Sequence, residues 1–195
     1  VLYQKGLYKQ SLKLLDKAKN LALENEEKNI AYEIVELEKV IETQYITRSL
    51  SNRADQLSVQ AKTLSQQNVT ASKLSNLSLQ LYSHLLQNGY VKNNEELEFI
   101  NKYFYTKLPK YDFNTFGFRE KLWLYKSHLW FSFLCQDFLQ SYKYARKWVD
   151  LFKEDKKHIN QHPVFYLKGI NYLLEACFFV KKVSTFKDEL TSFEN

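Results

Sequence analysis

Apolar positions along this chain of 195 residues recur at spacings of three and four almost throughout, the period of a helix buried along one side. Leu7, Ser11, Leu15, Ala18 and Ala22 share one face of a first helix, and Lys9, Lys13, Lys17 and Glu24 fall on the opposite side. Ile30, Ile34, Leu37, Ile41 and Tyr45 repeat the pattern in the next segment. A weaker stripe of small residues (Ala54, Leu57, Ala61, Leu64) precedes a strong one at Leu74, Leu77, Leu81 and Leu85, which Gly89 closes in the C-terminal cap position. Asn93 or Asn94 then caps a helix through Leu97, Ile100 and Phe104 that stops at Leu108–Pro109. Residues 110–118 (KYDFNTFGF) read as a loop. An aromatic helix follows from about Arg119 to Cys135, and another from Phe138 to about Phe152 with Asp137 as its N-cap. Pro163 opens a helix running to about Val180, in the one turn where Pro is tolerated, and Ser184 caps a last one.

The pattern therefore predicts about nine helices joined by short links. Composition agrees: Gly 4 and Pro 2 are too few to supply the turns of a β fold. Short links force neighbouring helices to lie side by side, and antiparallel pairs stacking on one another are the economical way to bury their stripes. We expect one all-α domain over 1–195, with charge-balanced helix pairs over 1–108, the 110–118 loop, and aromatic-rich, basic pairs over 119–195. Gln10–Lys13 (QSLK) and Gln140–Lys143 (QSYK) fall at equivalent points of two helices, as a repeat would place them.

The stretch Leu2–Ala22 resembles the second half of a tetratricopeptide repeat, with Tyr3, Gly6, Tyr8, Ser11, Leu15 and Ala18 in the characteristic places. Tyr125–Phe152 resembles a whole repeat: Leu129, Trp130 and Phe133 on its first helix, a turn at Gln136–Asp137, and Phe138, Ser141, Ala145 and Trp148 on its second. In this window Asp137 stands for the turn glycine and Trp148 for a small residue. GLYKQ together with LLDKAKNLA is also similar to bacterial helical-repeat proteins. The resemblance implies a right-handed superhelical α-solenoid that binds a peptide or protein in a concave groove, without catalysis.

Charge sharpens where such a partner would sit. Residues 1–100 hold 12 Lys and Arg against 12 Asp and Glu, and 161–195 hold 4 of each, whereas 101–160 hold 12 against 6. The whole excess of +6 therefore lies in one block, which also contains 17 of the 31 aromatic residues. Cations interleaved with rings suit an acidic peptide, or alternatively nucleic acid, whose phosphates and bases they would meet. Helical spacing at Phe138, Tyr142, Ala145, Val149 and Phe152 argues that most of these rings are core. Lys143, Arg146, Lys147, Asp150 and Glu154 share the outward face of the same helix. The aromatics of the 110–118 loop (Tyr111, Phe113, Phe116, Phe118) either plug a gap between helices or stand ready to bind, and the rarity of exposed apolar patches favours plugging. The partner-binding candidates are Tyr111, Phe113, Arg119, Lys143, Arg146 and Lys147.

In the first half, Lys5, Lys9, Lys13, Lys17 and Lys19 on one helix face a glutamate-rich neighbour (Glu24, Glu26, Glu27, Glu33, Glu36, Glu38, Glu42), so those charges are expected to satisfy one another. His158 and His162 have the spacing of two metal ligands, but they stand just before Pro163 and need a third donor, so no metal is expected. No Gly-rich phosphate loop, HExxH or nucleophile elbow occurs. No cofactor is implied, and an enzyme is not expected. Cys135 and Cys177 lie in apolar helical surroundings and read as reduced, buried thiols of a cytoplasmic protein. No apolar run approaches the roughly 20 residues of a spanning helix, so a membrane is not among the expected partners. The opening Val1 and the absence of Met suggest a piece of a longer chain.

Overall fold

Helices begin and end where the chain's few punctuating residues stand. The computed structural model describes residues 2–44 and 52–181, together with 187, 188 and 191. Eight α-helices occur among the described residues, and no strand: α1 (Tyr8–Glu24), α2 (Lys28–Gln44), α3 (Arg53–Asn88), α4 (Asn94–Lys107), α5 (Phe118–Leu134), α6 (Phe138–Glu154), α7 (Lys157–Gln161) and α8 (Pro163–Phe179). Asn93 caps α4 by accepting from the Glu96 N–H at 2.8 Å, and Asp137 caps α6 by accepting from the Gln140 N–H at 3.0 Å. Gly89 ends α3 at φ 74°, and Pro163 stands at the start of α8. Tyr45 and Ser184 lie outside the described residues; of the helix expected from Ser184, residues 187, 188 and 191 are described and helical.

Two expectations about the helices change. The stripes at 54–64 and 74–85 belong to one helix of 36 residues, because the polar stretch between them (SQQNVTAS) contains neither Gly nor Pro and so has nothing to stop a helix. A single turn, α7, interrupts the expected link before Pro163.

The chain forms two compact units, Val1–Thr70 and Ala71–Asn195, and the division falls inside α3 rather than at the 110–118 loop. In the first unit α2 folds back on α1 through a link in which Glu26 takes φ 60°. The core is small: Ala22, Ala31, Val35, Leu57, Ala61 and Leu64, with Tyr32 packed against it. On α2 the buried residues are Lys28, Ala31, Val35, Glu38 and Ile41, so of the expected Ile30–Ile34–Leu37–Ile41 stripe Ile41 lies on the buried face, which otherwise runs about one residue away. Ile30 and Leu37 are exposed. A fully buried carboxylate stands in the middle of that face. Glu38 accepts from Lys19 at 2.7 Å, Lys19 is itself only 3% exposed, and Arg53 approaches the other carboxylate oxygen at 3.2 Å without the alignment of a hydrogen bond. The expected matching of charges thus occurs in the interior, at one lysine. Lys5, Lys9, Lys13 and Lys17 are exposed and make no ion pair among the described residues.

In the second unit α6 packs against both α5 and α8, and α7 touches α6 and α8. Leu74, Leu77 and Leu81 of α3 and Ile100 and Phe104 of α4 join the same core as Leu129, Phe133, Trp148 and Phe152. The Ser127 hydroxyl donates to the Leu74 carbonyl at 3.0 Å, and the Val91 N–H donates to the Leu134 carbonyl at 3.0 Å, so backbone groups freed at helix surfaces find partners across the core. Trp148 has no exposed surface, and its indole fits because residue 169 is glycine: a Cβ there would lie 2.9 Å from Trp148 Nε1.

Candidate functional site

The 110–118 loop divides its aromatics between core and surface. Phe116 and Phe118 are buried; Phe118 packs edge-on against Phe152 at 5.0 Å and flat on His158 at 3.8 Å. Plugging is therefore the role of these two. Tyr111 and Phe113 stay exposed, each resting against Phe116 at 5.0 and 6.1 Å. A turn over Phe113–Thr115, capped by Asp112 accepting from the Asn114 N–H at 3.0 Å, sets this arrangement. Gly117 then opens α5, its N–H donating to the buried Glu120 carboxylate at 3.0 Å.

That loop lies beside a row of tyrosines and lysines presented by α5 and α6. Phe113 is 6.5 Å from Tyr125, which is 6.5 Å from Tyr144, which stacks at 4.3 Å on His128. Above the rings stand ammonium groups. Lys121 Nζ is 5.5 Å from the Phe113 centroid, Lys143 Nζ is 5.7 Å from that of Tyr144, and Lys147 Nζ is 5.7 Å from those of both Tyr125 and Tyr144. None of these three lysines has a carboxylate partner among the described residues. Contact with a ring face gives each about 0.5–1 kcal/mol and leaves its charge uncancelled.

The structure thus brings together four of the six predicted residues, Tyr111, Phe113, Lys143 and Lys147. Arg146 instead pairs along its own helix with Asp150 at 3.2 Å, and Arg119 sits half-buried in the first turn of α5. Lys121, Tyr125 and Tyr144 complete the face and were not singled out by sequence reasoning. The available signal was that Tyr125, His128, Tyr144 and Lys147 stand one turn apart along their helices, at positions where a purely buried stripe would carry aliphatics.

The chemistry of the face is recognition of negative charge. Burial raises both the Tyr125 and Tyr144 phenols above their usual range, with Glu154 adding to the first and Tyr111 to the second, so both remain hydrogen-bond donors. Burial and then the Lys147 and Lys143 cations push His128 down to about 4, so the imidazole is neutral near pH 7. This has a measurable consequence. Between about 6.5 and about 4 the unfolded chain binds a proton that the folded chain refuses, so stability falls as pH drops through that window and is unaffected by this group above it. His128→Phe is expected to remove an acid loss on the order of 3 kcal/mol. Thermal melts of the two proteins between pH 7 and pH 4 would run parallel if His128 titrated normally.

The other candidate clusters hold packing roles. His158 and His162 both stack on Phe118, at 3.8 and 5.7 Å, and His158 Nδ1 lies 3.1 Å from Gln161 Oε1. Among the described residues no three His, Cys, Asp or Glu side chains gather as a metal site would require. Cys135 and Cys177 form no disulfide among the described residues; Cys177 is buried and Cys135 half-buried, its thiol pushed up to about 11 by burial and by Asp137. No described helix is long and apolar enough to cross a membrane. No protein-family model, curated protein or solved structure matches the chain, so what it does is read from the lysine–tyrosine face itself.

Proposed function

We propose that this chain is a non-catalytic interaction scaffold that binds an acidic segment of a peptide or protein on the face built from Tyr111, Phe113, Tyr125, Tyr144, Lys121, Lys143 and Lys147. One observation carries the reading: three lysines without carboxylate partners among the described residues stand over the rings of a partly exposed aromatic row. Such a surface offers an acidic side chain an ammonium, a phenolic donor and an apolar floor together. Charge-assisted hydrogen bonds of this kind are about twice as strong as neutral ones.

The tetratricopeptide-like architecture belongs to the same proposal, and a local equivalence supports it. α1 and α6 each have 17 residues and carry a buried serine at the fourth position, Ser11 and Ser141. Each is preceded by a residue with positive φ, Gly6 at 73° and Gln136 at 57°. Each turn is closed by the same bond five residues back, from the Leu7 N–H to the Leu2 carbonyl at 3.1 Å and from the Asp137 N–H to the Ser132 carbonyl at 2.9 Å. The residue standing for the turn glycine is therefore Gln136, one position before the expected Asp137. Cysteines outside any disulfide among the described residues fit the cytoplasmic setting that the reading implies.

Reversing the two α6 charges tests the function. Lys143→Glu with Lys147→Glu is expected to weaken capture of a fluorescent Asp/Glu-rich peptide by at least about tenfold, the effect of losing one or two charged contacts, with the helical circular dichroism unchanged. Equal affinity of the variant would remove this face as the site. Retention of random single-stranded RNA or DNA, with affinity falling steeply as salt rises, would favour the nucleic-acid reading instead.

A further inference from the structure

A second feature of the Ala71–Asn195 unit lies apart from the lysine–tyrosine row in its lining residues. A half-open recess of about 340 Å³ is walled by Trp123 and Trp130 of α5, Trp148 of α6 and Tyr172 of α8, with Lys126 and Lys168 among its polar groups. Trp130 and Tyr172 meet edge to face at 4.7 Å and 87°, so two walls of the recess are rings set nearly at right angles. Lys126 projects between aromatic groups. Its Nζ is 4.1 Å from the Trp123 centroid, 4.6 Å from that of Phe165 and 5.2 Å from that of Trp148.

Two observations distinguish this from ordinary packing. Lys126 has no carboxylate partner among the described residues, although it is largely enclosed. The charge that acts on it is the like-signed Lys168, which makes an unneutralised Lys126 more costly. A side chain selected only to fill space among three rings would be apolar, since it would avoid desolvating a cation. The space itself is the size of a small-molecule site, lined by aromatics with a few convergent polar groups.

We propose that this recess binds a small organic anion, a carboxylate or phosphate on a planar apolar body, with the charge held by Lys126 and Lys168 and the body against Trp123, Trp130 and Tyr172. The ligand would bring the counter-charge that the chain withholds from Lys126. Burial, and then Lys168, lower the Lys126 ammonium to about 8 in the empty recess. The other titratable groups that line the recess are Tyr82 from α3 and Tyr172 from α8; the latter is pushed up to about 12 by burial and by Tyr82, so it contributes no charge near pH 8. Binding therefore requires a protonated Lys126, and affinity falls as pH rises through about 8.

The walls supply the assay, because all three tryptophans of the chain line the recess. Phenylacetate, phenyl phosphate and the neutral phenylacetamide, none of which absorbs where tryptophan is selectively excited, are titrated against the intact chain while tryptophan fluorescence is followed. At least one of the two anions is expected to quench saturably and to bind about tenfold or more tighter than the amide, the effect of one charge-assisted hydrogen bond. Lys126→Met, which keeps the bulk of the side chain among the rings, is expected to abolish the preference for the anion while leaving the circular dichroism intact. Equal binding of anion and amide by the wild-type chain would overturn the proposal, as would the absence of saturable quenching by either anion at millimolar concentration. Neither of these comparisons needs a mutant. Lys143 and Lys147 do not line the recess, so failure here leaves the acidic-segment reading standing.

Discussion

Replacing Glu38 by Leu is expected to destabilise the first unit by about 3–5 kcal/mol, the usual effect of removing one member of a buried ion pair. Glu38 is fully buried and is approached by two cations, Lys19 at 2.7 Å and Arg53 at 3.2 Å. Without the carboxylate, Lys19 keeps only Asp16 at 3.5 Å, and Asp16 is largely in water. The loss comes from a stranded ammonium more than from the bond itself. Lys19→Met together with Glu38→Leu should therefore recover much of the stability, because burying two apolar groups of similar size is often neutral or better than burying the pair. Amide hydrogen exchange along α1 and α2 reads both outcomes. A single-mutant loss below about 1 kcal/mol, the range of exposed pairs, would mean that water reaches the site.

Trp148→Ala is the second large effect, again expected at about 3–5 kcal/mol, because a fully enclosed indole leaves a cavity that its neighbours fill only in part. Gly169 makes this a coupled position. Gly169→Ala in the wild-type chain gains helix propensity of about 1 kcal/mol, yet its Cβ would lie 2.9 Å from Trp148 Nε1 and 3.0 Å from Cδ1. Overpacking of this kind costs about 1–3 kcal/mol, so the net change is expected to be destabilising. In the Trp148→Ala background the same substitution should stabilise, since the obstruction is gone. Urea unfolding of the four proteins gives the coupling directly; additive effects would show that the indole is free to move aside.

Much of the fold is legible in the sequence because its punctuation is local. Asn93, Asp137, Gly89 and Pro163 act through bonds or backbone angles within a few residues of themselves, and all four stand where their chemistry predicts. The leucine stripe at 74, 77, 81 and 85 is equally direct, since every one of its positions is apolar, the first three buried and the fourth half-buried. The α2 face is the counterexample. Glu38 stands among its buried positions, and its place in the core depends on Lys19 and Arg53, distant in sequence, so a hydrophobic-versus-polar reading moves to the neighbouring Ile30 and Leu37. Lys126 is concealed for the same reason: its spacing of three from Trp123 and four from Trp130 puts it on their face of the helix, but its charge makes it read as solvated until three rings from α5, α6 and α8 close around it.

The candidate face is half legible. Lys143, Lys147, Tyr111 and Phe113 follow from charge and from aromatics placed outside the helical period. Tyr125 and Tyr144 do not, because helical spacing reads both as core; Tyr125 is buried and Tyr144 half-buried, and only the Lys147 ammonium over both rings ties them to the face. Arg146 differs from Lys143 and Lys147 only through Asp150, which stands four residues away and takes its charge. The lysine row at 5, 9, 13 and 17 carries the opposite lesson. Its glutamate-rich neighbour suggests mutual neutralisation, yet Lys19 alone on that helix reaches across, because it alone turns into the core.

The central claim is tested most directly by isotope-edited NMR of the whole chain titrated with an Asp/Glu-rich peptide. Saturable shifts are expected at the amides and side chains of Tyr111, Phe113, Lys121, Tyr125, Lys143, Tyr144 and Lys147, and not at Lys5, Lys9, Lys13 or Lys17. Shifts confined to that N-terminal lysine row, or no saturable shifts at all, would contradict it.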